Sequence, residues 1–253
     1  MKSKLSVFII TYNEERILEK CLKKLYWAEE IVVVDSGSTD ATLEICKKYG
    51  ANVFYKEFNG FGKQKQFALE QTTNNWVLSL DADEILSDDL ISEIKDLLKS
   101  NSNVYGYFIK RKHVFLGNIF NFGHESKQYI LRFFDKRYGK FNNLDVHESI
   151  LVQGKTKKIN SYFLHFSYAS LETYVTKLNR YTELYAKTKA AKNKNYNIIE
   201  IVFKVKFEFF KKYILELNFL NGIAGFHWAY LAGVYTYIKC IKTNELNVLN
   251  KKT

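Results

Sequence analysis

Residues 76–84, WVLSLDADE, decide the fold, because an apolar run of strand length leads directly into a cluster of acids. Three more apolar or β-branched runs precede it, at 5–10 (LSVFII), 30–35 (EIVVVD) and 52–55 (NVFY). A helical pattern follows each of the four runs. Strands without polar alternation are buried on both faces. The repeat therefore predicts an α/β fold whose mostly parallel central sheet carries helices on both faces.

The rest of the chain changes character twice. Residues 104–165 contain aromatic, strand-like stretches, which predict mixed or antiparallel strands that complete the sheet. A helical pattern then takes over in three segments, 170–190, 198–217 and 222–242. The sequence thus predicts a catalytic domain over 1–169 and a basic, aromatic helical extension over 170–253.

Composition and charge limit the classes of protein. With 253 residues and 47% hydrophobic content, the chain is long enough for a real core and is not a disordered tail. Residues 1–150 carry 21 basic and 21 acidic side chains, whereas residues 151–253 carry 17 and 6, so the net +11 lies in the last 103 residues. A basic rear part favours an anionic surface as partner.

Cysteine usage and the first residues bear on the compartment. Three scattered cysteines are too few for a disulfide framework or a thiolate zinc site, which favours a reducing compartment: Cys21, Cys46 and Cys240. The opening MKSKLSVFII is too short for the apolar region of a signal peptide, and it runs into the first strand pattern. We therefore expect a cytoplasmic protein.

The strongest chemical signal is the pair Asp81 and Asp83 after the apolar run. Two carboxylates in this spacing can share Mg²⁺ or Mn²⁺, which keeps open positions for phosphate oxygens. The structural alternative is a helix N-terminus, where acids are favoured by the helix dipole. Asp88 and Asp89 already serve that purpose, so the pattern favours a site for a metal and a diphosphate.

Two other strand ends and one helix start carry polar groups. At the first strand end, Tyr12 can stack on a flat base, and Thr11 and Asn13 can bind its polar edge. At the second, in DSGSTD, Asp35 is predicted to face a ligand and Asp40 to cap the next helix. The segment 60–65, GFGKQK, lacks the P-loop spacing, and its lysines suit either a diphosphate or a solvated turn.

The ordered set TYNEE, VVDSGSTD, GFGKQKQFAL, LSLDADE, YILRFF and VHES resembles the family 2 glycosyltransferases of the GT-A fold. Within them it is most similar to small bacterial enzymes that extend lipopolysaccharide core or related surface glycans. The resemblance covers roughly residues 4–170. It implies a nucleotide-sugar donor, commonly a UDP-sugar, and transfer with inversion at the anomeric carbon. It also implies nucleotide or phosphate contacts by Thr11, Tyr12, Glu14, Asp35, Lys63 and Lys65, and a metal-binding DxD formed by Asp81 and Asp83.

An inverting transfer needs a base near the acceptor hydroxyl. Many family members place it in an ED pair on a later helix, whereas here the nearest candidate is Glu148, only 65 residues after Asp83. We predict Glu148 as the base and His147 as a metal ligand or orienting partner. Glu125 and Asp145 are the alternatives.

A basic residue among aromatics completes the predicted site. Arg132, in YILRFF, is predicted to hold a donor or acceptor phosphate bidentately, and packing against Phe133 or Phe134 is the alternative. A purely structural role for His147 and Glu148, in a salt bridge with Arg132, is the other reading of that region.

The segments 198–217 and 222–241 mix aromatic and aliphatic residues with lysines. This pattern favours interfacial attachment to an anionic membrane, with helices packed on the catalytic domain or a true span as alternatives. The sequence as a whole predicts a metal-dependent inverting hexosyltransferase, peripheral on the inner face of the cytoplasmic membrane. Its acceptor would be a lipid-linked or lipopolysaccharide-core glycan.

Two other classes compete. A nucleotidyltransferase on a similar fold would also use a metal–diphosphate site, but a Gly-rich loop with a basic residue usually follows its first strand, where TYNEE is acidic. A basic nucleic-acid-binding protein would use the charge of the tail. The sequence contains no recognised binding module and the DxD cluster would go unused, so we expect no nucleic-acid partner.

Overall fold

The structure is a computed structural model that describes residues 3–100, 102–142, 149–168 and 170–250. The chain packs as two compact units. The first comprises Met1–Lys112 and Gln128–Phe166, and the second His113–Lys127 and Ser167–Thr253. The segment His113–Lys127 thus groups with the C-terminal helices, whereas the sequence division at 169/170 put it with the catalytic part. The roles given to the two parts stay a prediction.

The predicted β-α repeat forms the first half of the first unit. Strands β1 to β4 lie parallel in the order β3-β2-β1-β4, and a helix follows each of the first three directly. Their bounds are β1 Leu5–Thr11, α1 Glu15–Lys23, β2 Glu30–Asp35, α2 Thr42–Lys48, β3 Asn52–Tyr55, α3 Phe61–Glu70 and β4 Trp76–Asp81.

Antiparallel strands extend this sheet, as the aromatic middle of the sequence predicted. The order continues from β4 through β8, β6 and β11 to β5 at the far edge, and β9 pairs with β10 separately. The bounds are β5 Glu84–Leu86, α4 Asp88–Leu97, β6 Gly106–Phe115, β7 Asn118–Ile119, β8 Tyr129–Asp135, β9 Gly139–Phe141, β10 Ile150–Val152 and β11 Thr156–His165. The sequence analysis did not anticipate β5, because three residues are too few to show a periodicity.

Both faces of β1, β2 and β4 are buried, which explains their lack of polar alternation, whereas the edge strand β3 is mostly exposed. On one face, Val7 and Ile9 belong to the same cluster as Leu22 of α1 and Ile94 of α4. On the other face, Phe8 packs in a second cluster with the residues of α3. The predicted α/β class with helices on both faces is confirmed.

The second unit is mainly helical. It contains α5 (Leu171–Ala190), α6 (Ile198–Phe210), a π-helical turn over Lys211–Leu215, a 3₁₀ turn over Asn218–Asn221 and α7 (Gly222–Leu249). The helix α7 therefore runs seven residues beyond the predicted end at 242. In the described part of the chain, no helix combines the length and the apolar character needed to cross a membrane.

An aromatic cluster and a close backbone approach hold this unit together. Trp228 of α7 packs against Phe115, Phe120 and Tyr174. At the start of α7, a Cβ atom added to Gly225 would lie 1.8 Å from the carbonyl oxygen of Asn218. Only glycine fits there, which fixes how the 3₁₀ turn meets the helix.

Candidate active site

The polar ends of the parallel strands meet at one edge of the sheet. In the strand register Thr11 lies beside Asp35, Asp35 lies beside Tyr55, and Asp81 pairs with Ile10, one residue before Thr11. Ligands of open α/β sheets bind outside this carboxyl edge. The structure thus brings together three segments that are separated by up to 70 residues in sequence.

An ionic cluster occupies the end of β4. Oδ1 of Asp81 lies 2.9 Å from Nζ of Lys65, and its Oδ2 lies 2.8 Å from the Arg132 guanidinium. The same guanidinium group lies 2.6 Å from Oε1 of Glu84. The other oxygen of Glu84 accepts a hydrogen bond from the backbone N–H of Asp81 at 3.0 Å. Two cations therefore balance two carboxylates at the first position of the DxD.

Burial and pairing shift the acid–base properties of this cluster. Burial would raise the pKa of Asp81, but the attraction of Lys65 and Arg132 outweighs it and lowers that pKa. Burial raises the pKa of Glu84, which has almost no exposed surface. The two carboxylates raise the pKa of Arg132 in spite of its burial. Arg132 is thus a buried ion-pair partner here, and the predicted phosphate contact stays a prediction.

The second acid of the DxD has a different neighbour. Oδ2 of Asp83 lies 3.5 Å from Nε2 of His165 at the end of β11. Burial would lower the pKa of His165, but its bond to Asp83 and the nearby carboxylates outweigh burial and raise it. Sequence reasoning missed His165, because KINSYFLHF reads only as a strand. Its position as the last residue of that strand was the available signal.

The donor set fits a divalent cation at Asp83 better than at Asp81. A carboxylate oxygen suits Mg²⁺ or Mn²⁺, and an imidazole nitrogen is a frequent metal ligand. Asp81, in contrast, already engages two cations. Within the described ranges no three His, Cys, Asp or Glu side chains form a cluster that could hold a metal. A cation here would therefore draw on Asp83 and His165 together with oxygens from a substrate.

The first two loops at the sheet edge are tied to each other. The carboxylate of Asp35 is buried and accepts hydrogen bonds from the N–H groups of Gly37 and Ser38, so it orders its own loop. Asn13 Oδ1 accepts from the N–H of Thr39, and the N–H of Asn13 donates to the Ser38 hydroxyl, both at 2.8 Å. Contact between Asp35 and a base stays a prediction.

Other predicted groups lie around these loops. Asp40 accepts from the N–H of Thr42, the first residue of α2, and from the N–H of Glu15 at the start of α1. The cap position of α2 is Ala41, so Asp40 lies one residue before the cap that the sequence predicted it to be. Tyr12 is 58% exposed, whereas the hydroxyl of Thr11 is buried and has no hydrogen-bond partner among the described residues. Glu14 is partly buried in the same loop, next to the start of α1.

The lysines of GFGKQK point in different directions. Lys65 is buried in the ionic cluster, and Lys63 is exposed. Between them Gln64 is buried, and its Nε2 donates to the Ser36 hydroxyl and to the Lys56 carbonyl. The start of α3 therefore supports the loop after β2 and at the same time supplies Lys65 to Asp81.

A cavity of about 370 Å³ adjoins the ionic cluster. Its lining includes Asp81, Lys65, Arg132 and Arg111, the last of which sequence reasoning did not single out. Tyr129, Ser149 and several apolar residues complete the wall. Three cationic side chains around one carboxylate give a surface that suits a group with more than one negative charge.

The predicted base lies outside the described residues. This holds for Glu148 and for its neighbours His147 and Asp145. The other alternative, Glu125, belongs to the second unit, where its Oε1 lies 2.5 Å from Nζ of Lys212. Burial would raise the pKa of Glu125, but the attraction of Lys212 outweighs it and lowers that pKa. A carboxylate with a lowered pKa is a weaker proton acceptor.

The α/β sheet, with an ionic cluster and a cavity at the carboxyl edge of its parallel strands, has the architecture of the GT-A fold. The chain belongs to glycosyltransferase family 2, whose family model matches residues 6–159. It is 29% identical to the lipopolysaccharide core biosynthesis glycosyltransferase LpsC of Rhizobium meliloti, over 99% of this chain and 96% of LpsC. It is 30% identical to a glycosyltransferase of Rickettsia typhi, over 98% of this chain and 89% of the relative.

A solved structure has the same fold. The crystal structure of S. aureus TarS 1–349 in complex with UDP superposes with a TM-score of 0.50 at 16% identity, over 98% of this chain and 92% of that one. The resemblance drawn from the ordered motifs is thereby confirmed for the family and the GT-A fold. Family membership also decides against the nucleotidyltransferase and nucleic-acid-binding alternatives as the class of this protein.

Proposed function

We propose that this glycosyltransferase transfers a hexose, with inversion, from a UDP-sugar or similar nucleotide diphosphate sugar to a glycan acceptor. The observation that carries the proposal is the ionic cluster of Asp81, Lys65 and Arg132 beside a cationic cavity at the carboxyl edge of the sheet. This is the edge at which α/β sheets bind nucleotides. Arg111, the third cationic residue in the lining, adds to Lys65 and Arg132 the positive charge that a diphosphate leaving group requires.

The donor would bind across the three strand ends. Tyr12 is exposed and offers an aromatic face to the base. The hydroxyl of Thr11, which has no hydrogen-bond partner in the described part of the chain, offers a hydrogen bond. Lys63, Lys65 and Arg111 would contact the phosphates. Asp35 would act on the nucleotide through the loop that it orders, and Glu14 through the loop that leads into α1.

A divalent metal would be held by Asp83 and His165, with Asp81 as a further ligand only if Lys65 is displaced. The imidazole nitrogen favours Mn²⁺ over Mg²⁺, since imidazole is a ligand of transition metals. When bound, the metal would supply positive charge to the leaving diphosphate. The protein itself holds Asp83 and His165 together across β5 and β11, whose register pairs Glu84 with His165.

Glu148 remains the proposed base. Inversion requires a carboxylate on the acceptor side of the anomeric carbon, able to take the proton of the attacking hydroxyl. Glu125 fits this role poorly because its pKa is lowered by Lys212. His147 would then orient Glu148 or bind the metal.

The second unit and one relative support the proposed acceptor and site of action. LpsC is named for lipopolysaccharide core biosynthesis, which supports a lipid-linked or lipopolysaccharide-core glycan as acceptor. The helix α6 exposes a stripe of large apolar side chains, Ile199, Phe203, Phe207 and Phe210, and Ile214 in the following π-helical turn is exposed as well. Together with the +11 charge of residues 151–253, this stripe supports peripheral attachment to the inner face of the cytoplasmic membrane.

The donor part is tested by hydrolysis of nucleotide sugars without acceptor, with Mn²⁺, Mg²⁺ or chelator. We expect a UDP-sugar to be cleaved only with metal, and Asp83→Asn to lose this activity while the matched surface change Asp96→Asn keeps it. Full turnover in chelator contradicts the metal assignment. The anomeric configuration of a transfer product, read by NMR, tests inversion. Glu148→Gln should keep donor binding and lose transfer.

A further inference from the structure

We propose that the groove between α6 and α7 binds one acyl chain of an anionic phospholipid in the membrane surface. The inference rests on the proposed membrane attachment and deepens it into a defined lipid site. The groove encloses about 620 Å³. Its walls include Val205 and Phe209 from α6 and Phe226, Tyr230, Val234 and Tyr237 from α7.

A small residue on α7 lets this helix approach α6 closely beside the groove. Gly233 faces α6, and a Cβ atom added there would lie 3.5 Å from Val205, at ordinary contact distance. Any longer side chain would enter the groove. The wall above it is aromatic, since Phe226 makes an edge contact with Phe209 and stacks on Tyr230. The two helices therefore contact each other at Gly233, and aromatic side chains from both helices line the groove.

The lining matches a lipid chain with an anionic head. Lys206 is the one charged residue among those that line the groove, and it is exposed at the edge of α6. Tyr230 and Tyr237 are also about half exposed. Tyrosines at such a position suit a boundary between apolar chains and water. An acyl chain would contact the apolar wall, with its phosphate near the Lys206 ammonium.

The surroundings favour a membrane over a protein partner. The exposed stripe of α6 runs beside the groove, because Phe203, Phe207 and Phe210 alternate along the helix with the groove residues Val205, Lys206 and Phe209. The part of the sequence that contains both carries the whole positive excess of the chain. Charge complementarity with anionic headgroups therefore accompanies the apolar surface.

The test places a tryptophan in the groove and reads contact with brominated acyl chains. Tyr237→Trp lies in the groove, whereas the matched variant Val248→Trp is exposed on the same helix outside it. Each is mixed with vesicles of equimolar phosphatidylcholine and dibromo-acyl phosphatidylglycerol, and wild-type emission is subtracted. We expect bromine to quench the Trp at 237 at least about twofold more than the Trp at 248, since only the groove holds a chain at contact distance.

A filling variant completes the test. Val234→Phe, combined with Tyr237→Trp, should reduce this quenching towards the level of Val248→Trp while the protein still sediments with the vesicles. The far-UV spectrum and melting temperature check that it folds. Equal quenching at 237 and 248, or quenching that Val234→Phe leaves unchanged, overturns the proposal.

Other occupants give distinct results. Emission at Tyr237→Trp that shifts on dilution without lipid, together with a dimer in sedimentation equilibrium, assigns the groove to a second copy and overturns the proposal. Failure to sediment with anionic vesicles overturns both the groove and the membrane attachment. Hydrolysis of the nucleotide sugar is measured in parallel without lipid, so loss of the lipid site is distinguished from loss of the proposed enzymatic function.

Discussion

Replacing Arg132 by Met tests the ionic cluster at the end of β4. Met keeps much of the length of the side chain and removes its charge. Glu84 then loses its cationic partner at ion-pair distance, whereas Asp81 keeps Lys65. The Glu84 side chain is only 1% exposed and that of Arg132 is 8% exposed. The variant thus leaves a carboxylate in a place that water does not reach.

The expected cost follows from that burial. Breaking a buried ion pair from one side costs about 3–5 kcal/mol, which is a large share of the roughly 5–15 kcal/mol that stabilises a typical domain. Glu84→Gln removes the charge of the other partner and should cost less, about 1.5–3 kcal/mol, because Arg132 keeps Asp81. In the double variant, Arg132→Met with Glu84→Gln, no buried charge is left without a partner. Its loss of unfolding free energy should therefore be smaller than the sum of the two single losses.

Urea unfolding at neutral pH, followed by circular dichroism, measures these differences as shifts of the midpoint at constant slope. The deficit of Arg132→Met should shrink at lower pH, because burial raises the pKa of Glu84 and the carboxylate then binds a proton. A loss below about 1 kcal/mol in Arg132→Met, or strict additivity in the double variant, would refute the reasoning.

Three further predictions concern the second unit and the metal. Gly225→Ala should destabilise the protein by roughly 1–3 kcal/mol, since the added Cβ would lie 1.8 Å from the Asn218 carbonyl oxygen. Gly233→Ala should instead stabilise it by up to about 1 kcal/mol. The melting temperatures of the two variants test both expectations. Lys212 lowers the pKa of Glu125, so this pair stabilises the fold above the ordinary pKa of Glu125 and the contribution is lost as the pH falls through the lowered value. Lys212→Met should therefore reduce the fall of the melting temperature at acidic pH. A fall as steep as that of the wild type would contradict the pairing. His165→Ala should weaken Mn²⁺ binding in calorimetry at least tenfold, by analogy with the loss of one metal contact, and unchanged affinity removes His165 from the metal site.

The parallel half of the fold could be predicted from the sequence because each of its elements has a strong local signal. The run at Glu30–Asp35 is β-branched at all four inner positions, 31–34, and α1 places its apolar residues on one face. The convergence of Thr11, Asp35 and Asp81 then follows from parallel topology alone. The short strand β5 and the π-helical turn had no such signal, because a few residues carry no readable period.

The partners within the site could not be predicted in the same way. The sequence identified Asp81 and Arg132 as ligand-binding groups, but their bond to each other depends on the pairing of β4 with β8, which lie about fifty residues apart in the chain. His165 was missed for the same reason, since only the pairing of β11 with β5 brings it to Asp83. Long-range register decides such contacts, and a local pattern does not contain it.

The two loops that Asn13 and Ser38 join have a consequence for changing donor preference. Because each loop supplies the groups that fix the backbone of the other, neither can adopt a new shape by itself. An exchange of residues around Tyr12 alone would disturb the turn at Asp35 as well. Under the proposed donor site, engineering towards another nucleotide therefore requires matched exchanges in both segments, and libraries that vary one of them will mostly return inactive or unstable proteins.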